Sequence, residues 1–325
     1  MFSLSAHDLQ LIKDLHLSID PEELAILKRE LLFRSYNVDA PVTPSLQEKI
    51  QPVKTKTSDG MELNCWYIPP KPEVKMTILF CHGNMQPVSL YQDVAEFIAG
   101  LNDEFGTGGL LLEYRGYGKN KHLPVFEERE DIFKDAESAM TFINQQGTPD
   151  SNIVVWGLSM GGGPAAEMAA RHKGIKGLVL ESTFTDNNQL FANTQFLTFL
   201  EKAGGISERE NSLLIKSPDV DKILIFLSKS ELFNYRTAER LAETKGIPTL
   251  IIHSGKNDII VPPSMAEGLA AASPNIKGII SPDSLKEGAI TELHISKGGN
   301  HRYMGESSKA RLRNFFVSLY MQDSG

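Results

Sequence analysis

Unbroken apolar segments that alternate with helical segments are the feature that most constrains how this chain folds. The apolar segments are TILFC, GGLLL, NIVVW, GLVLE and TLIIH. Most of them lead into a stretch in which apolar residues recur at the spacing of an amphipathic helix. Strands that are apolar throughout are buried on both faces, as in parallel sheets covered by helices. The sequence therefore predicts an α/β fold with a mostly parallel central sheet and helices on both faces.

The domain organisation follows from where this alternation begins and where it is interrupted. Helical spacing occupies the N-terminus, a hairpin pattern flanks the turn at residues 58–60, and a helical and loop-like interruption precedes the strand TLIIH. A second, loop-like insertion covers residues 274–290. The predicted parts are an N-terminal helical extension (1–50), an α/β core (51–183 and 247–325) and an inserted helical cap (184–246).

The composition is that of a globular protein and argues against two classes of partner. Hydrophobic residues make up 41% of the 325 residues and charged residues 23%, with a formal net charge of −8. Nucleic acids and anionic membrane surfaces bind clustered lysine and arginine, so we expect neither as a partner. We find no signal-peptide pattern and no run near the roughly 20 apolar residues of a transmembrane helix. A cytoplasmic location is expected, although export without a cleavable signal would leave no trace in the sequence.

The chain contains two cysteines, Cys65 and Cys81. Two thiols provide neither a disulfide framework nor a cysteine-rich zinc site. Cys81 lies in an apolar segment, so we expect it to pack as a small hydrophobic residue. We expect no metal and no organic cofactor.

A Gly-x-Ser-x-Gly pattern, Gly157 to Gly161, lies between the segment NIVVW and a helical segment. This context is required by a nucleophile elbow, in which a sharp strand-to-helix turn presents a serine hydroxyl at the edge of the sheet. The serine backbone is strained there, and the residues two positions before and after it are glycines because strand and helix approach closely. We therefore predict Ser159 as nucleophile, with the amide of Met160 as an oxyanion donor at the start of the helix.

Two later segments provide a base for this serine and a carboxylate that orients the base. A serine hydroxyl requires a base near neutral pH, and the base requires an acceptor that fixes its tautomer. Asp258 follows TLIIH in the turn GKND, and His301 follows TELHIS in the loop GGNH. Both should lie at the same sheet edge as Ser159, and the order Ser, Asp, His is one that occurs on α/β sheets. We predict His301 as general base and Asp258 as the carboxylate that orients it.

Other polar residues compete for these roles. Asp186 and Asp221 are alternative carboxylates, although neither follows a strand as clearly. His294 is the alternative base, but it lies inside TELHIS, where a packed side chain is expected. His82 and His253 also lie near strand ends, and we interpret both as structural residues that make hydrogen bonds.

The turn HGNM after TILFC provides the second oxyanion donor in this interpretation. Gly83 permits a close turn, the amide of Asn84 is the preferred donor and that of Met85 is the second choice. The segment Glu113 to Arg115 also follows a strand at this edge. For this segment we expect packing and loop anchoring, with substrate contact as the alternative.

The motifs together resemble those of one known group of proteins. HGN, YRGYG, GLSMGG, ESTF, HSGKNDIIVP and GGNH, in this order, are similar to motifs of the α/β hydrolases in the serine aminopeptidase S33 and Bem46-like group. The resemblance covers about residues 52–320 and leaves out the N-terminal helices. It implies an α/β-hydrolase fold and transfer of an acyl group to water.

The resemblance implies one kind of chemistry, acyl transfer to water, but leaves the substrate open. The group includes esterases, thioesterases that act on lipidated proteins, acylglycerol lipases and peptidases. We expect a serine hydrolase that cleaves carboxylic ester or thioester bonds of a small-molecule or acylated substrate through an acyl-enzyme intermediate. The alternatives are an aminopeptidase of the S33 type and a binding protein built on a hydrolase scaffold.

Overall fold

The structure is a computed structural model that describes most of the predicted core and parts of the predicted N-terminal extension and cap. The described residues are 4, 6–18, 20–24, 39–74, 76–186, 190, 220–230, 234–281, 283–284 and 288–322. Within these ranges no helix combines the length and the apolar character needed to cross a membrane.

The apolar segments form one nine-stranded sheet in the described part of the chain. Its strands are β1 (Gln51–Lys56), β2 (Glu62–Ile68), β3 (Thr77–Cys81), β4 (Gly108–Leu112), β5 (Ile153–Leu158), β6 (Gly177–Glu181), β7 (Thr249–His253), β8 (Ile276–Lys277) and β9 (Ile290–Ile295). Their order across the sheet is β1-β2-β4-β3-β5-β6-β7-β9-β8. The pairs β1–β2 and β2–β4 are antiparallel, and the other neighbours are parallel. The predicted mostly parallel sheet and the hairpin at residues 58–60 are confirmed.

Helices cover both faces of the sheet, as predicted. The helices of the described residues are α1 (Ala6–Asp14), α2 (Pro44–Gln47), α3 (Gln92–Phe105), α4 (Arg129–Gln145), α5 (Gly162–Arg171), α6 (Val220–Lys229), α7 (Thr237–Ala242), α8 (Pro263–Ala272) and α9 (Glu306–Met321). The start of α4 shows how the sequence fixes a helix end, because Glu128 and Asp131 form a capping box. The Asp131 carboxylate accepts the N–H of Glu128 at 3.0 Å, which satisfies a donor at the start of the helix.

Two hydrophobic clusters explain why the central strands are apolar at every position. Leu79 and Cys81 of β3 belong to a cluster that includes residues of α4 and α5. Ile78 and Phe80 belong to a second cluster, with residues of α3 and α9. Successive strand side chains point to opposite faces, so a strand between two helical layers must be apolar throughout. Every residue of β3, β4, β5, β6 and β7 is accordingly buried.

The N-terminal extension contacts a helix of the predicted cap. Leu11 of α1 and Phe226 of α6 are buried in the same hydrophobic cluster. The Lys222 ammonium donates to the carbonyl oxygen of His16 at 3.2 Å. Most of the predicted cap (184–246), namely residues 187–189, 191–219 and 231–233, lies outside the described residues, as do residues 25–38 of the predicted extension. The domain boundaries therefore stay predictions.

The predicted loop over 274–290 contains a short strand that the sequence pattern does not reveal. Ile276 and Lys277 form β8, which pairs in parallel with β9 at the edge of the sheet. Both residues are exposed, so β8 lacks the apolar pattern that marks the other strands. A strand of two residues is also too short to show alternation.

Candidate active site

Ser159 lies at the sharp turn between β5 and α5. Its backbone has a φ of +52°, in the left-handed region that a residue with a side chain rarely adopts. Such strain persists only where the surrounding structure enforces it, and it concentrates at functional sites. The short 3-10 turn Ser159–Gly161 then leads into α5.

The two glycines of the elbow are required by close backbone contacts. A Cβ atom on Gly157 would collide with the backbone of Gly161, and a Cβ atom on Gly161 would collide with the carbonyl group of Cys81. Thr183, which follows β6, donates its hydroxyl to the Ser159 carbonyl oxygen at 2.6 Å. The elbow is thus held from the neighbouring strands as well as by its own turn.

The structure brings the three residues of the predicted triad together from three strand ends. His301 Nε2 lies 2.9 Å from Ser159 Oγ. His301 Nδ1 lies 2.9 Å from Asp258 Oδ2 and 3.0 Å from Oδ1. Because a carboxylate only accepts, Nδ1 carries the proton in a neutral imidazole and Nε2 is left to accept the proton of the serine hydroxyl. This is the arrangement that a serine nucleophile requires.

Asp258 is buried and held as a carboxylate by its neighbours. Its Oδ1 accepts the backbone N–H groups of Ile260 at 3.0 Å and Val261 at 2.8 Å. Burial acts to raise the pKa of Asp258, but the charge and hydrogen bond of His301 and the Val261 N–H outweigh it and lower the pKa from its usual value. The group therefore stays ionised near neutral pH, as an orienting acceptor must.

His253 lies behind this carboxylate as a neutral, structural residue. Its Nε2 donates to the carbonyl oxygen of Val261 at 2.9 Å, and its Nδ1 accepts the N–H of Gly255 at 2.9 Å. Burial lowers the pKa of the His253 imidazole, against the raising effect of Asp258. Its predicted structural role is confirmed, and it supports the turn that carries Asp258.

The predicted oxyanion turn follows β3. The Asn84 side-chain oxygen accepts the N–H of Met85 at 2.8 Å and the hydroxyl of Tyr117 at 2.5 Å. The Met85 amide is therefore directed at a neighbouring side chain, and Met85 itself has a left-handed φ of +71°. Of the two predicted donors in this turn, the geometry favours the amide of Asn84. Met160, the other predicted donor, lies within the short turn Ser159–Gly161 that leads into α5.

His82 and the segment Glu113 to Arg115 support the site from behind, as predicted. His82 is fully buried, and its Nδ1 donates to the Gly83 carbonyl oxygen at 2.6 Å. Glu113 accepts the backbone N–H of Val88 at 3.2 Å. Arg115 is buried against Asp135, with Nε 2.8 Å from Oδ1. These contacts are those of packing and loop anchoring.

The alternative residues occupy other places. The histidine that contacts Ser159 is His301, whereas His294 lies within β9. Asp221 lies on α6 with an exposed side chain. The carboxylate beside His301 is that of Asp258, whereas Asp186 accepts the hydroxyl of Thr185 at 3.4 Å.

Three residues near the site were not assigned a role by the sequence analysis. Thr183 holds the Ser159 carbonyl group, as described above, and Arg302 follows His301 directly in the chain. Glu181, at the end of β6, is buried and accepts the indole N–H of Trp156 at 3.0 Å. Burial raises the pKa of Glu181 to about 8, against the lowering effects of Trp156 and Arg302. The motif ESTF marks Glu181 and Thr183 in the sequence, but only their contacts reveal what they do.

Comparisons with known proteins agree with this architecture. Residues 72–218 match the family model described as serine aminopeptidase, S33. The α/β hydrolase domain-containing protein WAV2 of Arabidopsis thaliana is 30% identical over 227 residues, which are 69% of this chain and 67% of that protein. The human α/β hydrolase domain-containing protein 17B is 26% identical over 218 residues, which are 66% of this chain and 71% of that protein.

The solved structures include a similar fold. The esterase Pf2001 of Pyrococcus furiosus superposes with a TM-score of 0.65 at 18% sequence identity, over 88% of this chain and 97% of the esterase. An identity this low shows a shared fold and leaves the activity to be argued separately. With the strand order, the elbow and these relatives in place, the chain belongs to the α/β-hydrolase superfamily.

Proposed function

We propose that this protein is a serine hydrolase that cleaves carboxylic ester or thioester bonds through an acyl-enzyme intermediate. Membership of the superfamily supports a hydrolase. The observation that carries the finer proposal is the hydrogen-bonded series from Ser159 Oγ to His301 Nε2 and from His301 Nδ1 to Asp258, with donor–acceptor distances of 2.9 Å at each step. A serine on a strained turn next to an oriented imidazole is the arrangement that nucleophilic catalysis uses.

The proposed reaction uses these three residues twice. Ser159 Oγ forms a bond to the substrate carbonyl carbon while its proton moves to His301 Nε2. The amides of Asn84 and Met160 stabilise the oxyanion that develops on the carbonyl oxygen. The carbon–oxygen or carbon–sulfur bond to the leaving group then breaks, and His301 returns its proton to the departing alcohol or thiol. Water, deprotonated by His301, hydrolyses the acyl-enzyme in the same way.

The position of Glu113 favours esters and thioesters over amino-terminal peptides. An aminopeptidase needs a carboxylate that binds the substrate ammonium group, and Glu113, in the segment for which substrate contact is the alternative interpretation, could provide one. Its carboxylate is buried, accepts the N–H of Val88 and lies 3.4 Å from His82 Nε2. It is therefore occupied by structural contacts.

An activity-based probe tests the chemistry directly. A fluorophosphonate reacts with a serine that has a working base and oxyanion hole, so it should label the wild-type protein and leave Ser159→Ala unlabelled. Ser307→Ala removes an exposed serine on α9 and should be labelled like the wild type. Equal labelling of Ser159→Ala and the wild type would overturn the proposal.

A substrate panel tests the bond that is cleaved. We expect turnover of p-nitrophenyl esters and acyl thioesters, with a preference along a series of graded acyl-chain length. The second candidate function is the aminopeptidase, which the matched S33 family model favours. Faster turnover of aminoacyl p-nitroanilides than of the esters would establish that alternative. A pure binding role would instead leave cellular function intact in Ser159→Ala.

The proposed substrate is a small molecule or a larger molecule that carries an acyl group. We propose that the cap (184–246) contributes to the choice of acyl group, because insertions at the carboxyl edge of an α/β sheet lie where ligands bind. The cytoplasmic location and the lack of a nucleic-acid partner stay predictions from the sequence.

A further inference from the structure

Arg302 connects the loop of the proposed general base to the loop that follows β3. Its Nε donates to Gln86 Oε1 at 2.9 Å, and its Nη2 donates to the Leu90 carbonyl oxygen at 2.7 Å. Both terminal nitrogens also donate to the Asp93 carboxylate, at 3.1 and 2.8 Å. Its side chain is 14% exposed. The residue directly after His301 is thus fixed to the other loop by several hydrogen bonds at once.

A ring contact extends this connection to the oxyanion turn. The Arg302 guanidinium carbon lies 4.0 Å from the centroid of the Tyr91 ring. The buried Tyr91 side chain packs against Gly83, where a Cβ atom would lie 3.1 Å from the Tyr91 hydroxyl oxygen. Gly83 directly precedes Asn84, whose amide is the favoured oxyanion donor. Arg302 therefore contacts, through one tyrosine, the backbone that positions this donor.

The sheet alone does not set the distance between these two loops. The base follows β9 and the oxyanion turn follows β3, and in the sheet β5, β6 and β7 separate those two strands. Catalytic groups have to be held within roughly 0.5 Å of the productive geometry. A long side chain that donates to several acceptors in the other loop provides such a constraint.

We propose that Arg302 is a positioning residue that fixes His301 relative to the oxyanion turn. This inference rests on the proposed function, because it assigns Arg302 a part in the same reaction. Arginine suits the role better than lysine, since its planar fork serves several acceptors and stacks on an aromatic ring. The ion pair with Asp93 is weak by itself, because Asp93 is 47% exposed, so the whole set of contacts has to act together.

Arg302→Met tests the proposal, since methionine keeps much of the apolar length and removes every donor. We expect kcat for a p-nitrophenyl ester to fall by about 10- to 100-fold, the penalty for misplacement on the order of 1 Å, with KM changed by less than about threefold. Fluorophosphonate labelling of Ser159 should slow by a similar factor. Arg302→Lys should recover only part of the loss.

Arg313 of α9 offers a matched control, because it makes the same kinds of contact at the other end of α3. It pairs with Glu104 of α3 at 2.7 Å and lies 5.7 Å from the Phe105 ring, as Arg302 pairs with Asp93 of α3 and lies on Tyr91. Arg313→Met removes a cation, an ion pair and a ring contact far from Ser159. Its kcat and its labelling rate should match those of the wild type.

A second variant protects the test against a simple loss of stability. Asp93→Asn weakens the contacts of Arg302 with α3. Combining it with Arg302→Met should lower kcat no further than Arg302→Met alone, because both changes break the same set of contacts. Additive losses, or labelling of Arg302→Met at the wild-type rate, would overturn the positioning role and leave the proposed function standing. A wild-type protein that the probe fails to label at all would overturn both.

Discussion

The two ends of α5 each place a histidine beside carboxylates, and the two histidines have different environments. Near the N-terminal end, His301 faces one carboxylate and one hydroxyl, those of Asp258 and Ser159. At the C-terminal end, His172 Nδ1 lies 2.8 Å from Asp150 and Nε2 lies 2.8 Å from Glu137. His301 thus keeps a nitrogen that can accept a proton. His172 donates through both nitrogens and has none to spare.

The two carboxylates around His172 also favour its charged form. The Glu137 hydrogen bond, then the Asp150 hydrogen bond and the charges of both carboxylates, outweigh partial burial and raise the pKa of His172 to about 9. A protonated imidazole at the C-terminus of a helix also complements the negative end of the helix dipole, whereas the positive end of α5 is directed at the site of the proposed oxyanion. His301, the proposed base, faces one carboxylate, whereas His172, a structural cation, faces two.

The largest expected effect is on kcat, when each of the two histidines is replaced in turn. His301→Ala should lower kcat by about a millionfold, equivalent to about 8 kcal/mol of transition-state stabilisation, if it is the general base. His172→Ala should keep kcat, because it removes no contact to the reacting atoms. Ester hydrolysis assayed on both purified variants checks the contrast. Comparable losses in the two variants would contradict the role of His301 as the base.

The next effect concerns the carboxylates that face the two histidines. Asp258→Asn should lower kcat by about 10⁴-fold, since an amide favours the wrong imidazole tautomer while the geometry persists. Asp150→Asn makes the same change beside His172 and should leave kcat unaltered. Steady-state kinetics at neutral pH measures both. A wild-type kcat in Asp258→Asn would instead direct attention to Asp186 as the partner carboxylate.

A third pair of variants compares the backbone at the two ends of α5. Gly161→Ala should destabilise the protein by about 3 kcal/mol or more, because its Cβ would meet the Cys81 carbonyl group and the strand and helix would have to separate. Gly174, just beyond α5, has no atom within 4 Å of a Cβ position, so Gly174→Ala should be nearly neutral. Urea denaturation of both variants measures the difference. Equal midpoints would mean that the elbow yields more easily than its contacts indicate.

The elbow also shows what a sequence can predict. Gly157, Ser159 and Gly161 lie at the end of an apolar strand, and both the pattern and its physical cause are local, so the elbow and its proposed nucleophile could be predicted from neighbouring residues. The order of Asp258 and His301 after their strands added the rest of the proposed site. Parallel strands have their carboxyl ends at one edge of the sheet, so residues that directly follow different strands lie close together in space.

Residues whose roles depend on distant contacts could not be predicted in this way. Arg302 meets Gln86, 216 residues away in the chain, and no local pattern marks that pairing. Thr183 holds the Ser159 carbonyl group from the end of the neighbouring strand β6, and the choice between Asn84 and Met85 depends on where one side-chain oxygen points. The edge strand β8 is exposed and only two residues long, so it lacks the burial that makes a strand visible in sequence.

The smallest expected effect is a pH-dependent contribution of His172 to stability. The folded-state pKa of His172, about 9, lies above its ordinary value of 6.5, so its stabilisation is fully present below pH 6.5 and is lost as pH rises through 9. Because Glu137 and Asp150 are 36% and 37% exposed, solvent screening limits the stabilisation to about 1 kcal/mol. The free energy of unfolding of the wild type should therefore exceed that of His172→Gln at pH 6, and the difference should shrink towards zero by about pH 10. Other titrating groups occur in both proteins and cancel in this difference, so a constant gap between pH 6 and 10 would mean that His172 is not held as a cation.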